Sequence, residues 1–258
     1  SNAAVAVIAR RSGEGDQRGI RRTAWQSLLL VTLLSLVFGL AGVFGSDFMV
    51  GDAAGAKGAV RALASSYLAV LLGGCFSIFF LLQITAILRA VGDSRSPAVL
   101  LAGGNLLNLV LAVLFVYGTG PYPTSFAWVA PLAEWLHVPR LGVVGAAWAT
   151  VLARTIAVIA GFVILLGRRG GPKFHVMYLR PRRQELMQLL RIGWPASSQL
   201  VVRIVTVLVF ISLITRFFTS PHDNSALAAY GICLRLEVMA MFVGMGLGAA
   251  ASTFVGVN

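Results

Sequence analysis

The 258-residue chain is 58% hydrophobic and only 12% charged, with a formal charge of +12 and a mean hydropathy of +0.85. Soluble domains hold roughly 45–50% apolar and about 25% charged residues, so this balance excludes an ordinary soluble domain and points to the membrane. The basic residues sit at the ends of apolar runs and form no continuous face, which argues against nucleic acid as a partner and for the lipid bilayer.

Ala3 to Ala9 is apolar but far shorter than the ~20 residues that cross hydrocarbon. It reads as the last turns of a helix, and the expectation is a fragment cut at both ends. Residues 10–23 follow as a polar connection with five arginines. Ala24 to Gly45 reads as the first full span, and Ser46 to Arg61 as a small-residue loop. A second span is expected from Leu63 to Ala90, then a polar turn around Arg89, Asp93, Arg95 and Pro97, then a third span from Pro97 to Gly118.

Thr119 to Arg140 carries four prolines and the aromatics Tyr122, Phe126, Trp128 and Trp135. It is too short and too Pro-broken to cross and reads as an interfacial segment, with His137 and Glu134 as solvated polar residues. Leu141 to Leu166 is the fourth span. The most basic loop follows, and the fifth span is expected from Ile192 to Thr215. The sixth runs from Leu227 to the end.

Alternating the spans across the membrane puts 14 of the 21 Lys and Arg residues on one side and four on the other, with Arg154, Arg203 and Arg235 inside spans. The side rich in Lys and Arg is cytoplasmic, so both recorded ends are expected there. The fold class is therefore all-α, a polytopic membrane helix bundle of six full transmembrane helices plus one partial.

Polar groups inside the spans are the candidate functional residues, because a charge near the bilayer centre costs about 2.5–3.5 kcal/mol on insertion scales. Asn105 and Asn108 lie in the third span, and Thr150 and Arg154 in the fourth. Gln199 and Arg203 share a face of the fifth, while Arg235 and Glu237 lie two residues apart in the sixth, on different faces. Each could instead be a structural amide or ion pair that fixes helix packing, as could Gln83 and Thr85. Gly73, Gly74, Gly103, Gly104, Gly244, Gly246 and Gly248 would permit close helix approach. Cys75 and Cys233 read as small packing residues. The sequence holds no GxSxG, HExxH, P-loop or dinucleotide fingerprint. The expectation is a protein that is not an enzyme, holds no cofactor or metal, and draws its energy from an ion gradient.

Several phrases then carry a resemblance. ILRAVGDSRSP resembles the turn after the fourth helix of the MATE (multidrug and toxic compound extrusion) transporters. NLLNLVLAVLFVYG and LGVVGAAWAT resemble their fifth and sixth helices, and RIGWPASSQ the start of their seventh. ALAAYGICLRLE and GLGAAASTFVG resemble the eighth, and AVAVIARRSGEGD the end of the second. The resemblance implies part of a two-lobe, twelve-helix transporter that exchanges cationic drugs for Na⁺ or H⁺. Residues 1–166 would be most of the first lobe, 167–191 a basic cytoplasmic inter-lobe loop, and 192–258 the start of the second lobe. In one branch of the family an ion site uses an Asn four residues before an Asp on helix five, and a Thr on helix six. Asn108 matches the Asn and Thr150 the Thr, whereas Ala112 stands where the Asp would be. Another branch uses a Glu about two turns past the helix-seven proline, where this chain has Arg203 after Pro195.

The leading expectation is ion-coupled antiport of small cationic organic compounds across the bacterial inner membrane, by a monomer when full length. One alternative is a flippase for lipid-linked saccharides, whose phosphate would suit Arg154 and Arg203. Another, from a different class, is a non-transporting membrane scaffold.

Overall fold

The computed structural model describes residues 2–53, 58–167, 182–218 and 225–257. Helix α1 (Asn2–Gly13) turns at Glu14–Asp16 into the long α2 (Gln17–Phe48), which ends in a π-helical turn, Met49–Ala53. Then come α3 (Gly58–Gly73), α4 (Cys75–Ala90) and α5 (Arg95–Tyr117). A 3₁₀ turn (Thr124–Val129) leads into the short α6 (Ala130–Leu136), followed by α7 (Gly142–Gly167), α8 (Arg183–Phe217) and α9 (Ser225–Val257). Among the described residues six helical stretches are long and apolar enough to cross a membrane: Gln17–Gly51, Arg61–Ala90, Arg95–Tyr117, Gly142–Gly167, Arg183–Ile214 and Ala229–Gly248.

Three boundaries differ from the sequence reading, each for a local reason. The arginine-rich connection 10–23 is mostly helical. Asp16 caps α2 by accepting from the Gly19 amide at 2.8 Å, and Ile20, Thr23 and Ala24 then bury one face of the new helix. The second span is broken at Gly74, between α3 and α4. A Cβ there would lie 2.4 Å from Val151 Cγ2, so glycine is what lets α7 approach the break. Finally, α8 begins at Arg183, nine residues before the expected span. Glu185 and Leu189, one turn apart, turn inward there while Arg183, Gln184 and Gln188 stay exposed, an amphipathic pattern that extends the helix beyond the apolar run. Of the expected inter-lobe loop, residues 168–181 lie outside the described residues.

The main apolar core gathers Ile8 of α1, Leu28 of α2, Ile84 and Leu88 of α4, Leu100 of α5 and Leu165 of α7, and takes in Leu189 of α8. A smaller core holds the proline-rich segment against the bundle: Val129 and Ala133 bury against Val113 and Leu114 of α5. The Tyr122 ring packs on Tyr117 with centroids 5.4 Å apart, and its hydroxyl donates to the Gly118 carbonyl at 2.6 Å. Burial, helped by the Glu134 carboxylate, pushes the Tyr122 phenol above its ordinary value. Trp128 and Trp135 stay exposed, as an interfacial segment requires. Of the glycines expected at close approaches, Gly73, Gly74 and Gly104 face neighbouring atoms, whereas Gly103, Gly244, Gly246 and Gly248 face open space. Cys75 is buried and reaches the Ser35 carbonyl at 3.3 Å; Cys233 is exposed.

The Arg89–Pro97 turn is held by Asp93, whose carboxylate accepts from the Ser96 amide at 3.0 Å and the Ser96 hydroxyl at 2.7 Å. At the other end of the bundle, Arg61 donates to both oxygens of Asp47, at 2.9 and 2.7 Å.

Candidate functional site

A cavity of about 870 Å³ lies between α1, α2, α4 and α8. Its wall is mainly apolar, with Val31 and Leu34 of α2 facing Met187, Trp194 and Leu200 of α8. A volume of this size suits a drug-sized organic molecule. Polar groups enter it from α2 and α4. Gln83, only 2% exposed, donates to the Ser27 hydroxyl at 2.9 Å, and Ser27 donates to the Ala24 carbonyl at 2.8 Å. This is the cross-helix bond considered for Gln83 from sequence. Thr85 differs: its hydroxyl serves the Leu82 carbonyl of its own helix at 3.1 Å.

The candidates on α5 and α7 come together only in part. Helices α5 and α7 run antiparallel and closely packed, with Gly104 facing the Ala157 side chain and Gly145 the Phe115 carbonyl. This register sets Asn108 at the height of Ala153 and Arg154, about one turn from Thr150. The Asn108 Oδ1 is buried and accepts no hydrogen bond from any described residue, while Asn105 is exposed. Thr150 spends its hydroxyl on the Ala146 carbonyl at 2.9 Å. Arg154 is half-buried close to Tyr67 of α3, and no described carboxylate lies within ion-pair distance of it. An acceptor atom held away from water without a donor is costly.

Arg203 on α8 donates to Glu237 on α9 at 2.7 Å and also reaches the Met241 sulfur. This ion pair joins the two helices. Gln199 is exposed one turn earlier, and Arg235 is exposed on another face of α9. Phe210 and Tyr230 stack at 6.3 Å further along the same helix pair. Among the described residues no group of three His, Cys, Asp or Glu side chains is placed to hold a metal.

One polar cluster was not singled out from sequence. Glu185, near the start of α8, receives the Arg11 guanidinium at 3.1 Å and lies 3.9 Å from Arg22. Arg11 also donates to the Gly19 carbonyl at 3.0 Å and to the Thr23 hydroxyl. Beside it the Gln26 amide oxygen accepts from the Arg182 backbone at 3.1 Å. A signal was available, because Glu185 is the only acidic residue between Glu134 and Asp223 and sits in the most basic stretch of the chain.

The comparisons agree with this architecture. The family pattern MatE matches residues 1–114. The whole chain aligns with a probable multidrug resistance protein, YpnP of Bacillus subtilis, at 26% identity, covering 52% of that protein. A probable multidrug resistance protein NorM of Thermotoga maritima aligns at 25% identity over 99% of this chain and 50% of its own length. A crystal structure of a MATE in complex with MaD3S superposes with a TM-score of 0.80 at 25% identity, over 99% of this chain and 53% of that one. A MOP-superfamily transporter from Pyrococcus furiosus superposes at 0.78 with 26% identity, over 99% of this chain and 50% of that one. The chain spans about half the length of the relatives it matches. Members of this family are transporters rather than enzymes. Helix order, tertiary fold and sequence likeness along the whole chain therefore make it similar to the MATE multi-pass membrane transporters.

Proposed function

We propose that the chain forms part of an ion-coupled exporter that moves small organic compounds out of the bacterial cytoplasm by alternating access of two lobes. The observation that carries this reading is the cavity of about 870 Å³ between first-lobe helices and α8, the first helix of the second lobe. A space between two semi-independent bodies can open to either side as they rock, whereas one within a single lobe cannot. Asn108, with its unpartnered buried oxygen, is the residue assigned to the coupling ion, Na⁺ or H⁺, and Arg203 with Glu237 to the pathway of the second lobe. The substrate is a small cation, and the transporter acts as a monomer. The test is accumulation of a fluorescent cationic drug in cells making the intact protein, with and without an ion gradient. Unchanged accumulation rejects export.

Arg154 favours a second reading, transport of an anionic substrate such as a lipid-linked saccharide phosphate. Half-buried within a span and without a described carboxylate, it would be stabilised by an anion in the pathway. The P. furiosus relative is itself described as having a binding pocket of reverse polarity that suggests a different function. Phosphate-dependent protection of the protein against unfolding, lost in Arg154→Gln, would favour this reading over cation export.

A further inference from the structure

We propose that Arg11, Arg22 and Glu185 form a cytoplasmic latch between the lobes, which seals the floor of the cavity and must release for it to face the cytoplasm. The proposal rests on the alternating-access reading and adds the contact that controls it. Three observations support it.

The cluster joins two parts of the chain, since Arg11 and Glu185 are 174 positions apart and belong to α1 and α8. It is also level with the cavity mouth. Moving inward along α2, Thr23 and Gln26 of the cluster come immediately before Ser27 and Val31 of the cavity wall. Along α8, Glu185 comes immediately before Met187, Trp194 and Ser197 of the wall. Third, the contact is ionic and partly buried, with the Arg11 side chain 20% exposed and that of Glu185 11%.

That last property separates a latch from permanent packing. Withdrawing an ion pair from water carries a desolvation penalty that offsets much of the attraction, so separating it into water has a small net cost. The Arg11–Glu185 contact is therefore specific when closed and readily released when hydrated. Removing only the acid is different. In the closed state it leaves two arginines crowded together without a counter-charge, whereas in the open state water solvates them. The population must then shift toward the cytoplasm-open form, because a perturbation moves a two-state equilibrium by its differential effect on the two states.

The experiment places a cysteine in the cavity wall, Ser197→Cys, in the full chain in oriented membrane vesicles. A membrane-impermeant thiol reagent is added from one side at a time, and the rate at the native cysteines is subtracted. The expected result for Glu185→Gln is about a tenfold faster reaction from the cytoplasmic side, equivalent to about 1.4 kcal/mol, and a slower reaction from the opposite side. Arg11→Gln should act likewise, and the double variant should react no faster than the stronger single one, since both remove one contact. An unchanged cytoplasmic rate overturns the latch. So does a rate that rises from both sides, which marks loosening of the bundle, and so does a double variant whose effects multiply. Flat accessibility with export intact removes the latch alone, whereas loss of export in cells leaves this readout unaffected.

Discussion

Glu237→Gln discriminates between a pathway and a packing role for the Arg203–Glu237 ion pair. The substitution keeps the shape of the side chain and leaves Arg203 as an uncompensated cation on α8, where Glu237 now receives it at 2.7 Å. Were the pair enclosed by hydrocarbon, the lone guanidinium would cost about 2.5–3.5 kcal/mol. In contact with water, the loss of an exposed ion pair costs about 0.2–1 kcal/mol. The Arg203 and Glu237 side chains are 37% and 60% exposed within this chain, and the pathway reading puts that exposed surface in an aqueous space. The expected loss is therefore below about 1 kcal/mol, or about 2–4 °C in Tm for a protein of this size. Drug export should fall with it. Thermal unfolding in lipid nanodiscs and drug accumulation in cells measure the two quantities, with Arg203→Gln and the double variant completing the cycle. A loss of about 2.5 kcal/mol or more with export intact would refute the reasoning, because it would place the pair against lipid as a structural staple.

Three further outcomes are expected. Asn108→Leu removes a buried oxygen that has no donor, so stability should be unchanged or rise by up to about 1 kcal/mol while ion-dependent export drops; a clear loss of Tm would mean the amide holds the helices together. Gly74→Ala drives a Cβ into Val151 and should destabilise by about 1–3 kcal/mol, with Val151→Ala recovering part of it in the double variant; independent, additive effects would contradict the close approach of α7. Tyr122 titrates above its ordinary value of 10.0, so its share of stability is complete below that pH and is lost as pH rises through the folded-state value. Alkaline unfolding scans of the parent and Tyr122→Phe should therefore differ in slope above pH 10, and parallel curves would count against the buried phenol.

Much of the fold was legible because a bilayer imposes constraints that single residues report. Runs such as Leu141–Leu166 must be helical to satisfy their backbone in hydrocarbon, and clustered arginines mark the cytoplasmic ends. Hydropathy was silent where a helix continues beyond the apolar run. Both α2 and α8 extend beyond the apolar runs on amphipathic turns, Gln17–Thr23 and Arg183–Arg191, and polar composition alone reads as loop. Gly74 was visible as a glycine, but its reason, the side chain of Val151 on α7, lies 77 positions away in the chain.

The candidate site divides along the same line. That Asn108, Arg154, Arg203 and Glu237 lie within spans follows from sequence alone, because hydropathy fixes depth and the bilayer makes polar groups conspicuous there. Which of them are partnered does not follow, because spacing along one helix says nothing of what faces it. Tertiary packing alone joined Arg203 to Glu237 and left the Asn108 oxygen without a donor. It also closed Arg11 and Arg22 onto Glu185. Hydrogen bonds and ion pairs act over a few ångströms, and only the packing of α1, α2, α8 and α9 brings residues so distant in the chain within that range.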